Sequence, residues 1–391
     1  MKEEWKKVKL GEISADIQTG PFGSQLHMSD YSEKGIPVVM PKDMINGKIT
    51  EENIARVTDN HVKRLNRYII SSGNILYARR GDVGKCVYVS EKESGWLCGT
   101  GCLRININTA IANPKFVFFQ LQKTETIGWV EKNAVGATML NLNTSILANV
   151  PLHLPPLPTQ QKIASILSAY DDLIENNRKQ IKLLEEAALK LYKEWFVKLN
   201  FPGHENTKIA DGVPDGWKKE KISDWCRVFT GKKNANQNVE KGVYPFFTCA
   251  PDPLLSNDSL YEGKAVIISG NGSYTGRTQF YDGHFDLYQR TYACVKQKAV
   301  GYEYMPFIYY SMKVLFEPIK MGGTKGAAIP YIVMNDITDT EFLYNEEICK
   351  KYSGFAEITL DKIGALKKQI QLLQLARDKL LPKLMNGEIE V

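Results

Sequence analysis

The side chains with the most chemistry to offer lie on two loops punctuated by glycine. Arg79, Arg80 and Lys85 fall in Arg79-Arg80-Gly81-Asp82-Val83-Gly84-Lys85, and Asn271 and Arg277 in Gly270-Asn271-Gly272-Ser273-Tyr274-Thr275-Gly276-Arg277. Arginine can meet a guanine edge with two parallel N–H donors, asparagine and glutamine match adenine, and glycine lets backbone close on phosphate. Ser24, Gln25 and Lys42 extend the first set, and Lys232, Lys233, Asn234, Arg290 and Lys325 the second. Any one of these alone is an ordinary solvated loop group. Two loops stand out because each follows a similar apolar strand, Gly73-Asn74-Ile75-Leu76-Tyr77-Ala78 in one case and Gly263-Lys264-Ala265-Val266-Ile267-Ile268 in the other.

Three patterns suggest enzymes and are weaker. Asn113-Pro114-Lys115-Phe116 has the outline of an amino-methyltransferase motif, but Lys115 stands where proline is needed, and the run reads better as a cap and proline opening a helix. Asp252, Glu262 and Lys264 have nuclease-like spacing, whose carboxylates would hold Mg²⁺. The first strand repeats that site as Ser72-Gly73-Asn74, however, so a strand-opening turn explains it. Residues 270–276 lack the Gly-Lys-Ser/Thr ending of a phosphate-binding loop, Arg277 following Gly276. The five histidines, His27, His61, His153, His204 and His284, are far apart in the chain, and no metal site is expected.

Those loops need a scaffold. The 391 residues suffice for two or three domains, and 43% hydrophobic with 24% charged residues excludes a disordered or fibrous chain. Fifty basic against 44 acidic residues leave a net charge of only +6, so bulk charge does not identify a polyanionic partner. Seven scattered cysteines without Cys-x-x-Cys spacing read as reduced thiols, and no stretch is apolar enough to span a membrane; a cytoplasmic protein is expected.

An internal repeat organises the chain. Trp5-Lys6-Lys7-Val8-Lys9-Leu10 returns 212 residues later as Trp217-Lys218-Lys219-Glu220-Lys221-Ile222, each followed by a segment ending in Thr-Gly (Thr19-Gly20, Thr230-Gly231). Gly136-Ala137-Thr138 returns as Gly326-Ala327-Ala328, and from 171 to 193 ten of 23 positions are identical to those 189 residues on. Two diverged copies of one unit follow, each a β-rich domain trailed by a long helix.

The helices are legible in their periodicity. Ile163, Leu167, Ile174, Asn177, Ile181, Leu184 and Leu191 advance in steps of three, four or seven, as do Ile363, Leu366, Ile370, Leu373 and Leu380. That 3.5-residue repeat predicts a seam between supercoiled helices, with Asn177 as a buried polar register mark. Prolines before Thr159, a candidate cap, and Phe201-Pro202-Gly203 bound the first helix, and Pro382 should weaken the last turn of the second. The expected architecture is α+β: domains at 1–157 and 201–347 related by a pseudo-twofold axis, with helices at 158–200 and 348–391 packed as an antiparallel coiled coil. The first helix would be about 58 Å long at 1.5 Å per residue.

Leu154-Pro155-Pro156-Leu157-Pro158-Thr159-Gln160-Gln161-Lys162-Ile163-Ala164, Thr19-Gly20-Pro21-Phe22-Gly23-Ser24-Gln25-Leu26 and the tail Leu380-Leu381-Pro382-Lys383-Leu384-Met385-Asn386-Gly387 resemble the DNA specificity subunits of type I restriction–modification systems, over essentially the whole chain. The second junction, Tyr344-Asn345-Glu346-Glu347, departs from the family in lacking paired prolines. The resemblance implies a noncatalytic reader of a bipartite site in double-stranded DNA, one domain per half-site, with helices that set the spacer and dock two modification subunits. It implies S-adenosylmethionine on those partners, and ATP and Mg²⁺ on restriction subunits, with no cofactor on this chain. The rival reading is a self-contained DNA-modifying or DNA-cutting enzyme built on Asp252, Glu262 and Lys264.

Overall fold

A computed structural model describes residues 5–136, 140–297, 300–316 and 330–391. The chain forms two compact units, one of residues 1–175 with 371–391, the other of 176–370. The division cuts through both long helices, so each unit contains the beginning of one helix and the end of the other.

In the first unit, β1 (Lys6–Lys9), a single turn α1 (Leu10–Ile13) and β2 (Ser14–Thr19) lead to β3 (Tyr31–Ser32), β4 (Ile36–Val39) and β5 (Ala55–Val57). Then come β6 (Ile75–Ala78), β7 (Cys86–Tyr88), β8 (Leu97–Cys98) and β9 (Cys102–Ile107), the helices α2 (Pro114–Leu121) and α3 (Thr124–Asn133), and β10 (Pro151–Leu154). One sheet has the antiparallel order β2-β9-β6-β7, a second the order β8-β4-β5-β3, and β1 pairs with β10. Apolar residues of β6 and β9 (Ile75, Tyr77, Leu103, Ile105) and of α2 (Phe116, Val117, Leu121) fill the main core, which also holds Ile163 and Leu167 of α4 (Leu157–Tyr192).

The second unit repeats that order in simpler form. β11 (Lys218–Lys221), α5 (Ile222–Trp225) and β12 (Cys226–Thr230) precede β13 (Tyr244–Phe247), β14 (Leu254–Ser256), β15 (Tyr261–Ser269), β16 (Thr278–Leu287) and β17 (Thr291–Lys296). After α6 (Met305–Leu315) and β18 (Glu341–Tyr344) the chain enters α7 (Glu346–Met385). Six strands form one sheet, β12-β17-β15-β16-β13-β14, and β11 pairs with β18. In each unit, then, the strand after the repeated tryptophan pairs with the strand that feeds a long helix: Lys6 lies opposite Leu154, and Lys218 opposite Tyr344.

The tryptophans have a common task. At the end of α4 a π-turn (Lys193–Val197) carries Phe196 against Trp217, with ring centroids 5.7 Å apart, and Phe201 stacks on the same indole at 4.7 Å. At the end of α7, Leu384 and Met385 are buried in the first unit, and Gly387, at φ +65°, lies beside Trp5, where a Cβ would be 3.3 Å from the indole nitrogen. Pro382 does not end α7, and the helix runs on to Met385. Nor does Thr159 cap α4: Leu157 and Pro158 are already helical, because the first turn has no hydrogen-bonding use for the missing proline N–H. The side chain that ties this helix start is Gln160, 1% exposed, which accepts from the Asn113 N–H at 2.9 Å and donates to the Pro155 carbonyl at 2.9 Å.

Within the first unit Arg377 Nη1 donates to Asp171 Oδ1 at 2.6 Å. Within the second, Asn177 Nδ2 donates to Gln369 Oε1 at 3.2 Å and the Tyr352 hydroxyl to the Ala188 carbonyl at 2.9 Å, so the two helical segments there run antiparallel. The seam side chains divide by depth: Ile163, Leu167, Ile174, Asn177, Ile363 and Leu366 are buried, whereas Ile181, Leu184, Leu191, Ile370, Leu373 and Leu380 are half-buried.

The repeated Thr-Gly has a steric cause. A Cβ on Gly20 would be 2.0 Å from the Gly99 carbonyl oxygen, and one on Gly231 1.7 Å from that of Leu287, so in both units the chain leaves its first core strand pressed against neighbouring backbone. Gly20→Ala and Gly231→Ala should each cost about 1–3 kcal/mol as overpacking, read as a lower urea midpoint. Gly23→Ala, with nothing within 4 Å of the new methyl, should leave the midpoint unchanged. Equal midpoints for all three variants would contradict the assignment.

Candidate nucleic-acid interface

The two loops singled out by sequence follow central strands of their sheets. Residue 79 directly follows β6, and residues 270–277 join β15 to β16. Backbone bonds hold the first loop: Arg79 N–H to the Gly101 carbonyl at 2.7 Å, Leu142 N–H to that of Arg79 at 2.8 Å, and Gly81 N–H to that of Leu140 at 3.2 Å. The second is closed by Gly276 N–H to Ser269 at 2.8 Å and Ile332 N–H to Gly270 at 2.8 Å, with Thr275 Oγ1 donating to the Pro330 carbonyl at 2.9 Å.

On these frames the candidate residues divide. Arg79 is half-buried, its guanidinium carbon 5.3 Å from the ring centre of Phe22, and desolvation, with Arg80 nearby, pulls its pKa below the ordinary arginine value. Arg277 lies 6.0 Å over the ring of Tyr274. Arg80, Ser24, Lys42, Lys232 and Arg290 are exposed. Lys85 is also exposed but pairs with Asp82 at 3.2 Å. Asn234 accepts from Gln289 at 2.7 Å and stays exposed. Lys325 lies outside the described residues, as do Ala137, Thr138 and residues 326–328 of the repeat.

Three of the candidate residues make side-chain hydrogen bonds within the fold. Lys233 Nζ bonds Asp286 and Asp258, each at 2.6 Å, and Ser256 Oγ at 2.8 Å; it neutralises a buried carboxylate, because a charge at that depth must be paired. Gln25 accepts from the Phe22 N–H at 3.0 Å and the Tyr68 hydroxyl at 2.8 Å, which fixes the turn that presents Phe22. Asn271 accepts from the Cys249 thiol at 3.0 Å. The rings of Phe22 and Tyr274, 50% and 46% exposed, went unnoticed in the sequence. Their signal in the sequence is a single aromatic residue in a glycine-punctuated loop.

The nuclease pattern does not assemble. Glu262 pairs with His284 at 3.1 Å, and Lys264 is held by Glu357 of α7. Among the described residues no three His, Cys, Asp or Glu side chains are grouped to hold a metal, and no helix is long and apolar enough to cross a membrane.

Residues 2–186 match the family model described as the type I restriction modification DNA specificity domain. The type I restriction enzyme MjaIX specificity subunit of Methanocaldococcus jannaschii is 27% identical over 418 positions, which cover 100% of this chain and 94% of that one. Residues 2–186 thus match the type I restriction modification DNA specificity domain, and the chain as a whole is similar to a type I restriction enzyme specificity subunit. The Escherichia coli EcoDI specificity subunit is 31% identical over 185 residues, 46% of this chain and 40% of its relative. A crystal structure of the type I restriction–modification S subunit from M. genitalium has the same fold, with a TM-score of 0.64 and 17% identity over 98% of this chain and 96% of the other. Specificity subunits are the noncatalytic, DNA-recognising members of their complexes, in keeping with loops that offer hydrogen-bond donors.

Lys233→Met tests the division made above. It should destabilise the second unit by about 3 kcal/mol, since Asp286, whose side chain is 7% exposed, would lose its counter-charge. Weakened DNA binding at unchanged stability would return Lys233 to the contact surface.

Proposed function

We propose that this specificity subunit reads a bipartite target in double-stranded DNA, one half-site per unit, and that α4 and α7 set the spacer and dock two modification subunits. Those partners would carry S-adenosylmethionine and methylate adenine; restriction subunits would carry ATP and Mg²⁺ and cut. The assembly would work in the cytoplasm.

The observation that carries the reading is the duplication itself. A strand–turn–strand start, a central strand ending in an arginine-bearing loop, and a closing strand that feeds a long helix occur in both units. One reader serves one site; two copies joined by helices suit a divided site whose spacing matters. Half-sites on one face of a duplex recur about every 34–36 Å, one helical turn, and an α-helix converts residue number into length at 1.5 Å each.

The repeat also supplies a pair of equivalent footholds for two copies of one partner. Leu183 of α4 and Leu372 of α7 occupy matching positions in Lys-Gln-Ile-x-Leu-Leu and are 63% and 58% exposed. Helical leucines so exposed have no packing role in this chain and are suited to a protein interface.

Two measurements test these assignments in the assembled complex. Inserting four residues into α4 and four at the matching point of α7, about 6 Å of helix, should lengthen the preferred spacer by one or two base pairs when methylated adenines are mapped on spacer-varied targets. An unchanged spacer would remove the helices from that role. Leu183→Asp with Leu372→Asp should abolish co-purification of modification subunits while the chain melts as before, each single variant losing about half; full retention by the double variant would move the docking surface elsewhere.

A further inference from the structure

Arginines that touch aromatic rings are not rare in this chain, but two differ from the rest. Arg67 lies over Tyr68, which is 5% exposed, and Arg227 over Phe229, which is half-buried and packed on an apolar core. Those rings are inner surfaces. Arg79 and Arg277 lie instead over Phe22 and Tyr274, rings about half exposed, on loops that leave central strands of their sheets.

Neither guanidinium is committed to a carboxylate among the described residues. Several other basic groups are: Lys85 pairs with Asp82, Arg104 with Asp16, Arg64 with Asp30 and Lys233 with Asp286. In both Arg79 and Arg277 one N–H is shielded from water without a hydrogen-bond partner, Nε in the first and Nη1 in the second. Those nitrogens are packed against the protein, which leaves Nη1 and Nη2 of Arg79, and Nε and Nη2 of Arg277, to meet a ligand.

The two pairs are built differently. Phe22 comes from the turn after β2 and reaches a residue far along the chain, whereas Tyr274 and Arg277 share one loop. The repeat does not align the rings with each other, so the same arrangement is reached by two routes.

We infer that Phe22 and Tyr274 are the positioning residues of the two half-site readers, each ring holding one guanidinium flat and extended so that its fork meets a guanine edge in the major groove. The inference deepens the bipartite reading proposed above and rests on it. A planar guanidinium stacks on an aromatic face with its donor edge free, which an aliphatic side chain does not enforce. The fork then matches O6 and N7 of guanine.

The test uses the specificity subunit assembled with its modification subunits, scored by methylation of duplexes in which each guanine of either half-site is replaced in turn. Phe22→Leu keeps the apolar bulk and removes the π face. It should lower discrimination at one guanine of the first unit's half-site by roughly 10-fold, with the other half-site unaffected; Tyr274→Leu should do the same at the other. Phe22→Tyr and Tyr274→Phe should restore parental discrimination, and Phe22→Leu added to Arg79→Ala should cost nothing further. Strict discrimination by Phe22→Leu where Arg79→Ala has lost it, or additive losses in the double variant, would overturn the positioning role and leave the bipartite reading standing. A parent complex that methylates without regard to either half-site would overturn both. Both rings are half exposed, and melting curves of the Leu variants that match the parent separate a lost brace from a lost fold.

Discussion

Each unit is completed by a helix that begins in the other, and the repeated tryptophan is where that helix is received. Trp217 takes Phe196 and Phe201 from just beyond the end of α4, and Trp5 lies beside the left-handed Gly387 and packs on the core that also holds Leu384 and Met385 from the end of α7. Burying a few large side chains against an indole is worth several kcal/mol, enough to make neither core complete without the distant segment. The order of elements follows from this. A first strand must carry the tryptophan, a last strand must pair with the first so that the departing helix starts beside it, and the reading loops are left at the ends of the strands between.

The polar groups at the helices divide their labour in the same way. Gln160 ties the start of α4 to the cap of α2, Arg377 meets Asp171 in the first unit, and Asn177 meets Gln369 in the second. Buried or half-buried polar pairs contribute little net stability but penalise any other register. A seam that is only half-buried at Ile181, Leu184, Ile370 and Leu373 has weak apolar preference for one alignment, and these few pairs supply it.

The candidate loops hold their basic side chains in two ways. A basic side chain near a carboxylate pairs with it, as Lys85, Arg104 and Lys233 do. Resting on an uncharged ring leaves the donor edge of Arg79 and Arg277 uncommitted.

Much of this architecture was legible in the residue order because repetition and periodicity are one-dimensional signals. The duplicated tryptophan, the Thr-Gly pairs, the 3.5-residue seam and the two strand-then-loop runs all survive projection onto a line, and the family resemblance rests on the same residues. Helix ends were less legible: Pro158 reads as a boundary and Pro382 as weakening a last turn, but the first turn of α4 does not need the proline N–H, and the last turn of α7 continues to Met385 with Leu384 and Met385 buried. What Lys233, Gln25 and Asn271 do could not be read from their types. A lysine contacts phosphate or neutralises a buried aspartate according to what lies within 3 Å of its nitrogen, and Asp286 is 53 residues away along the chain. The sequence by itself determined the repeat, the order of strands and helices and the set of polar side chains on offer. Tertiary structure alone decided which of them remain free, because pairing depends on distances across the sheet that no local pattern encodes.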